Sequence, residues 1–242
     1  MSEQRGWRMK HALVTGGGRG IGLAAALALR DSGYRVTATG IDAAEIDAMP
    51  KREGLAGVVL DVRDQAAVER LIASFDRLDG VVNCAGLIRR GGAEFDPATF
   101  AEVIDVNLSG TMRVCVAAKP LLAREGGAIV NTASMLSFFG GPAVPAYTAS
   151  KGGIAQLTKS LAVAWAADKI RVNAVAPGWI ATELTRPLYE DASRAEPILQ
   201  RTPMRRWGKP EDVAGPIVFL CSEAAGFMTG VILPVDGGYA AA

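Results

Sequence analysis

The sequence predicts an α/β fold: a doubly wound parallel sheet of seven strands with helices on both faces, in three α/β/α layers. Three observations predict it. Short apolar runs alternate with segments of helical periodicity along the chain, the pattern that builds parallel sheets with helical crossovers. The apolar runs are continuous rather than alternating with polar residues, as expected when both faces of a sheet are covered. A glycine-rich turn joins the first run to the first helical segment.

The elements follow in order. Ala12 to Thr15 reads as a strand running into glycines. Ile21, Ala24, Ala25 and Ala28 then recur at helical spacing until Gly33 ends the helix. Tyr34 to Thr39 is a second strand and Gly57 to Leu60 a third, followed by Asp61. Val68, Leu71 and Ile72 mark a helix. Gly80 to Asn83, Ala128 to Thr132, Ile170 to Val175 and Val231 to Val235 are strands four to seven. Helices are predicted from Pro97 to about Leu122, from Ala146 to about Ala166, and from Pro210 to Cys221. Asp96 and Pro97 supply a cap and a first helical residue. The least regular stretch, Thr182 to Trp207, has the length of a substrate lid. Nothing suggests a linker or repeat, so residues 1–242 read as a single domain with a polar tail over residues 1–9.

Composition narrows the function. Twenty-six basic residues face twenty-five acidic ones, a balance that gives no support for a nucleic-acid or membrane-surface partner. No apolar run is long enough for a membrane span. The start of the chain lacks the apolar core of a signal peptide, so a cytoplasmic protein is expected. Cys84, Cys115 and Cys221 are odd in number and widely spaced, and read as reduced thiols. The single histidine, His11, excludes a Ser-His-Asp hydrolase unless it reaches a nucleophile, and with no Cys-x-x-Cys pair it leaves no zinc site, so no metal is expected. His11 itself reads as a surface residue at a strand start.

The turn Thr15-Gly16-Gly17-Gly18-Arg19-Gly20-Ile21-Gly22 is where ligand chemistry enters. A glycine turn between strand and helix lets backbone N–H groups approach a pyrophosphate at the positive end of the helix. Leu23 follows Gly22 where a Walker loop needs lysine, which argues against an ATP loop. The turn therefore points to a Rossmann-like dinucleotide site. Tyr147 and Lys151 lie four apart on a predicted helix, on one face and about 5–6 Å apart at Cβ. An ammonium near a phenol favours the phenolate and tunes it for proton transfer. Ser134 follows strand five, at the strand end where ligands bind in open sheets, with a hydroxyl able to hold a carbonyl oxygen.

With Asn83-Cys84-Ala85-Gly86, Val106-Asn107, Asn173 and Pro177-Gly178 in place, the chain resembles the classical short-chain dehydrogenases/reductases from about Lys10 to Tyr239. Cys84 departs from the family's second asparagine. The resemblance implies a hydride transfer between a nicotinamide cofactor and a secondary alcohol or ketone. Tyr147 would be the general acid/base, Ser134 the orienting hydroxyl, Lys151 a partner that also bonds the nicotinamide ribose, and Asn107 the holder of a relay water. It places Gly16, Gly18, Gly20, Ile21 and Gly22 on the cofactor's phosphates, and Asp61 with Val62 on the adenine. Asn83, Ala85 and Gly86, and Pro177, Gly178, Ile180 and Thr182, fall along the rest of the cofactor.

Arg19 resembles the basic residue that meets a 2′-phosphate, which tilts the reading to NADP. Asp42, two residues beyond the usual acidic position at Gly40, keeps NAD open. The substrate wall is expected from Leu136, Phe138, Phe139, Trp179, Leu184, Leu188 and Tyr189, with Arg89 and Arg90 at the entrance. Sugar or polyol alcohols, hydroxy acids and 3-oxoacyl thioesters all remain open as substrates. So does a competing class, a nucleotide-bound regulatory or interaction protein without catalysis. The family's habit of pairing long helices implies a homo-oligomer, a tetramer.

Overall fold

The computed structural model describes residues 9–242, so the tail expected over residues 1–9 lies outside the described residues except for Met9. Seven strands, β1 (Lys10–Thr15), β2 (Tyr34–Gly40), β3 (Leu55–Val59), β4 (Gly80–Asn83), β5 (Gly127–Thr132), β6 (Ile170–Pro177) and β7 (Ile232–Val235), form one sheet. Their order is β3-β2-β1-β4-β5-β6-β7, and every neighbouring pair is parallel. The chain winds outward from β1 to β3, then returns to β4 and winds the other way. The reversal leaves a crevice above the C-terminal ends of β1 and β4, the switch point where open α/β sheets hold ligands.

Both faces are covered because successive strand residues point to opposite sides. Ala12, Val14, Val36 and Val82 meet Leu29 of α1 (Gly20–Asp31) and Ile217 and Leu220 of α9 (Pro210–Cys221) on one face. Leu13, Val81 and Ile129 meet Ile72 of α3 (Gln65–Ala73), Leu122 of α5 (Gly110–Glu125) and Trp165 of α6 (Pro145–Trp165) on the other. Burying each such large apolar side chain stabilises the fold by roughly 1.5–3 kcal/mol.

The elements differ from expectation in instructive ways. Strand three runs from Leu55 to Val59 rather than from Gly57 to Leu60. A short helix, α2 (Ala43–Asp47), follows β2, capped by Asp42, whose side chain accepts the Glu45 N–H at 2.8 Å. The single helix expected from Pro97 is three pieces: α4 (Pro97–Ile104), a π turn (Asp105–Ser109) and α5, which continues through Pro120 to Glu125. The extra residue in the π turn carries Asn107 inward, a distortion typical of functional sites. Residues 182–207 are less irregular than their prolines suggested, because Pro187 sits in the first turn of α7 (Arg186–Tyr189), where no N–H is needed. Asp191 caps α8 (Ala192–Arg201), whose only buried residue is Ala195.

His11 is not at the surface. Only 2% of it is exposed, because β1 lies mid-sheet and its first residues are already flanked by β2 and the loop before β4. Its Nδ1 is 2.9 Å from the Arg77 carbonyl, its Nε2 3.0 Å from the Thr37 hydroxyl, and its ring meets Phe75 edge-on. Burial holds its pKa below the usual 6.5, against the opposing pull of the Arg77 carbonyl bond and of Asp76 and Asp79. The folded state therefore binds this proton less readily than the unfolded chain. The stability it brings is complete above pH 6.5 and declines as pH falls through that value toward the lower folded pKa. His11→Gln should flatten the fall in melting temperature between pH 7.5 and 5.5; an unaltered slope would refute the assignment.

Candidate active site

A cleft of about 930 Å³ opens at the switch point. Its floor is the glycine turn. Gly16 adopts φ +61°, and a Cβ on it would stand 2.7 Å from the backbone of Ala85, so the turn after β1 and the loop after β4 touch through bare main chain. Leu23 is the first residue of α1 bonded back onto the turn, its N–H reaching the Arg19 carbonyl at 3.1 Å. The preceding N–H groups have no carbonyl behind them in the helix, and the helix dipole adds positive potential there.

Of the residues expected to hold a cofactor, Gly16, Arg19, Gly20, Ile21, Gly22, Asp61, Val62, Ala85, Gly86, Tyr147, Lys151 and Thr182 border this cleft. The others are placed differently. Gly18 packs on the Glu45 side chain, which comes within 2.5 Å of where its Cβ would be. Asp42 lies off the cleft because its carboxylate caps α2. The Asn83 amide turns into the core, donating to Asn131 Oδ1 at 2.9 Å and to Cys115 Sγ at 3.3 Å. Pro177 ends β6, and Gly178 abuts Asp236, 2.7 Å from its missing Cβ. Ile180 is buried and bridged to Gly208. Arg19 borders the cleft two-thirds exposed, with its Nε 3.7 Å from Glu45 Oε1. Asp61 is held by a fork of bonds from Arg63, which keeps its carboxyl below the ordinary range.

Four side chains meet beside the loop after β4. Tyr147 and Lys151 share a face of α6, with Nζ 5.5 Å from the centre of the Tyr147 ring. That ammonium donates to the Thr132 carbonyl at 2.6 Å. Burial pulls its pKa down to about 8. The phenol behaves differently from the sequence expectation. Burial raises its pKa, while the Ser134 hydroxyl and the Arg90 guanidinium partly restrain the rise and Glu94 adds to it. Lys151, aimed at Thr132, leaves the phenol as the protonated partner at neutral pH. Ser134 accepts the Leu136 N–H at 3.1 Å, which leaves its own proton free to donate. Asn107 clamps Leu87, accepting its N–H at 2.8 Å and donating to its carbonyl at 2.9 Å, so the side chain braces the loop.

Two acids were not singled out from the sequence. Glu94 is fully buried, and its carboxylate accepts the Arg89 N–H and the Tyr147 N–H, each at 2.9 Å. It ties the arginine loop to the start of the helix that carries Tyr147. Glu45 borders the cleft from α2. Neither has a local signature, since each is defined by what folds against it. Of the expected substrate wall, Leu184 borders the cleft, whereas Trp179 and Tyr189 pack edge-on against Trp207. Arg89 is paired with Glu102 at 2.8 Å. Arg90 is half-buried on the cleft wall and, among the described residues, bonds only the Leu184 carbonyl, at 3.1 Å.

The bare-backbone floor, the open N–H groups of α1 and a cleft of this size fit a nicotinamide dinucleotide, with Lys151 and Tyr147 at the far end from Arg19. Comparisons agree. A family model described as enoyl-(acyl carrier protein) reductase matches residues 16–240. The chain is 42% identical over 239 residues to a 2-dehydro-3-deoxy-D-gluconate 5-dehydrogenase of Bacillus subtilis, covering 95% of this chain and 94% of that one. It is 37% identical to a gluconate 5-dehydrogenase of Gluconobacter oxydans, covering 94% and 93%. The solved structure of a gluconate 5-dehydrogenase from Burkholderia cenocepacia, in complex with NADP and tartrate, superposes with a TM-score of 0.90 at 35% identity, covering 96% of each chain. The chain thus belongs to the classical short-chain dehydrogenase/reductase family, the NAD(P)-dependent oxidoreductases of CH–OH and C=O groups.

Proposed function

We propose that the chain interconverts a secondary alcohol and a ketone on a sugar acid, with Tyr147 as the proton-transfer group. The observation that carries the sugar-acid reading is Arg90. It is a guanidinium on the cleft wall, close enough to restrain the Tyr147 phenol, and among the described residues no carboxylate pairs with it. An anionic substrate supplies that partner. Relatives named for gluconates, and a neighbour holding the dicarboxylate tartrate, support the reading.

In reduction the phenol gives its proton to the carbonyl oxygen, and in oxidation it takes the hydroxyl proton. Ser134 donates a hydrogen bond to the same oxygen. Lys151 supplies positive charge beside the phenol and bonds the cofactor ribose, while Asn107 and Glu94 keep the loop and helix in register. The bound nicotinamide supplies or accepts the hydride. Gly16, Arg19, Gly20, Ile21, Gly22, Asp61, Val62, Ala85, Gly86 and Thr182 would line its seat. The same reading takes residues 1–242 as one domain acting in the cytoplasm as a homotetramer. Three free thiols and exposed apolar side chains on the long helices, Val116 and Val163, support it.

The test is a panel of sugar acids and matched neutral polyols, followed by absorbance of the reduced cofactor. Acids should turn over preferentially, and Arg90→Ala should raise their KM roughly ten- to a hundredfold, the worth of a charged hydrogen bond of about 1.5–3 kcal/mol. Equal turnover of acids and polyols would refute the sugar-acid reading.

A further inference from the structure

We propose that the Glu45 carboxylate, reaching back from α2, meets the 2′ position of the cofactor's adenosine ribose and sets the balance between NAD and NADP. The inference rests on the reading of the cleft as a dinucleotide site. Three placements lead to it.

The acid that reads a ribose usually stands at the end of the second strand. That strand ends here at Gly40, with no side chain. Asp42 is the next acid, but its carboxylate caps α2 and does not border the cleft. Glu45 fills the space that these two leave. Its Cδ lies 3.0 Å from where a Cβ on Gly40 would stand, and its Cγ 2.5 Å from where one on Gly18 would stand. Glycine at both positions makes the room for it.

The carboxylate is held in place. Its Oε2 accepts the Ile41 N–H at 3.3 Å, and its Oε1 lies 3.7 Å from Arg19 Nε. Its side chain is 13% exposed, against 67% for Arg19. A largely buried acid therefore sits between the glycine turn and the end of β2, on the cleft wall, with an exposed base outside it.

The chemistry then separates the two cofactors. A carboxylate only accepts hydrogen bonds. A 2′-hydroxyl can donate one to it. A 2′-phosphate would bring negative charge against it, leaving the Arg19 guanidinium to be shared between the carboxylate and the phosphate. Glu45 thus offsets the attraction that Arg19 exerts on NADP and tips the site toward NAD. The family can seat a 2′-phosphate, as the NADP-bound neighbour shows, so the discrimination here is one of charge rather than room.

The experiment measures dissociation constants of NADH and NADPH by nucleotide fluorescence, for the full chain and for Glu45→Gln, Glu45→Asp and Arg19→Ala. Gln keeps an oxygen for the Ile41 N–H but no charge, and Asp keeps the charge but draws it back by one methylene. Glu45→Gln should shift the NADPH-to-NADH affinity ratio toward NADPH by tenfold or more, and Glu45→Asp should shift it less in the same direction. Arg19→Ala should shift it toward NADH. A ratio that stays within twofold of the parent in both Glu45 variants overturns the assignment while leaving the cleft a dinucleotide site. Failure of the parent chain to bind either nucleotide overturns both readings.

Discussion

Tyr147→Phe should lower kcat by roughly a hundred- to ten-thousandfold, the usual contribution of a positioned general acid–base. It removes one oxygen and leaves the ring on α6, the 5.5 Å approach of Lys151 and the Glu94 clamp on the Tyr147 N–H. Cofactor affinity should drop by no more than about tenfold, since a single neutral hydrogen bond is worth roughly 0.5–1.5 kcal/mol. Steady-state rates together with nucleotide fluorescence separate the two effects. The raised phenol pKa adds a signature. Reduction uses the protonated form and should hold its rate through neutral pH, whereas oxidation needs the phenolate and should climb as pH rises. A variant that retains even a tenth of the parent rate would remove Tyr147 from the mechanism.

Gly22→Ala should lower the melting temperature and weaken dinucleotide binding at least tenfold. The new Cβ would stand 2.0 Å from the Gly16 carbonyl oxygen and 2.8 Å from its carbon. Those are backbone atoms at the tightest point of the turn, and Gly16 is itself pinned against the main chain of Ala85. Nothing there yields cheaply. Overpacking of this kind costs about 1–3 kcal/mol, or roughly 2–12 °C for a chain of this size. Gly18→Ala is the matched contrast. Its Cβ would meet Cγ, Cδ and Oε1 of Glu45, the far end of a flexible side chain. It should fold with near-parental stability. Equal melting temperatures for the two variants would show that the overlap at Gly22 is relieved elsewhere.

The fold was legible because its signals are local. The alternation of apolar strands and helical segments and the glycine turn are read from short windows of the sequence, and they suffice for a doubly wound parallel sheet; the strand order came from the structure. The boundaries were less legible where packing overrides pattern. The helix expected to about Leu122 passes Pro120 and continues to Glu125, because it is held against the sheet through Leu121 and Leu122. The π turn at Asn107 has no sequence signature: the four-residue spacing is read as regular helix until Leu87 is seen to occupy the amide. His11 reads as an exposed strand start because it lies just before an apolar run, while its neighbours in space are Thr37, Phe75 and Arg77.

The division at the site has the same cause. Spacing on one helix was enough to put Tyr147 and Lys151 side by side, and a strand end was enough to place Ser134, since regular elements fix those distances. Asp42 and Arg19 were named for the cofactor by their distance from the glycine turn. Only the folded chain shows Asp42 spent on a helix cap and Arg19 held by Glu45. The same is true of Arg89, matched by Glu102, and of Arg90, which is not matched. The sequence by itself determined the architecture and the cofactor class, and put Tyr147 beside Lys151. The tertiary structure alone decided which charges are already satisfied and which are left for a ligand, because ion pairing joins residues that chain order keeps apart.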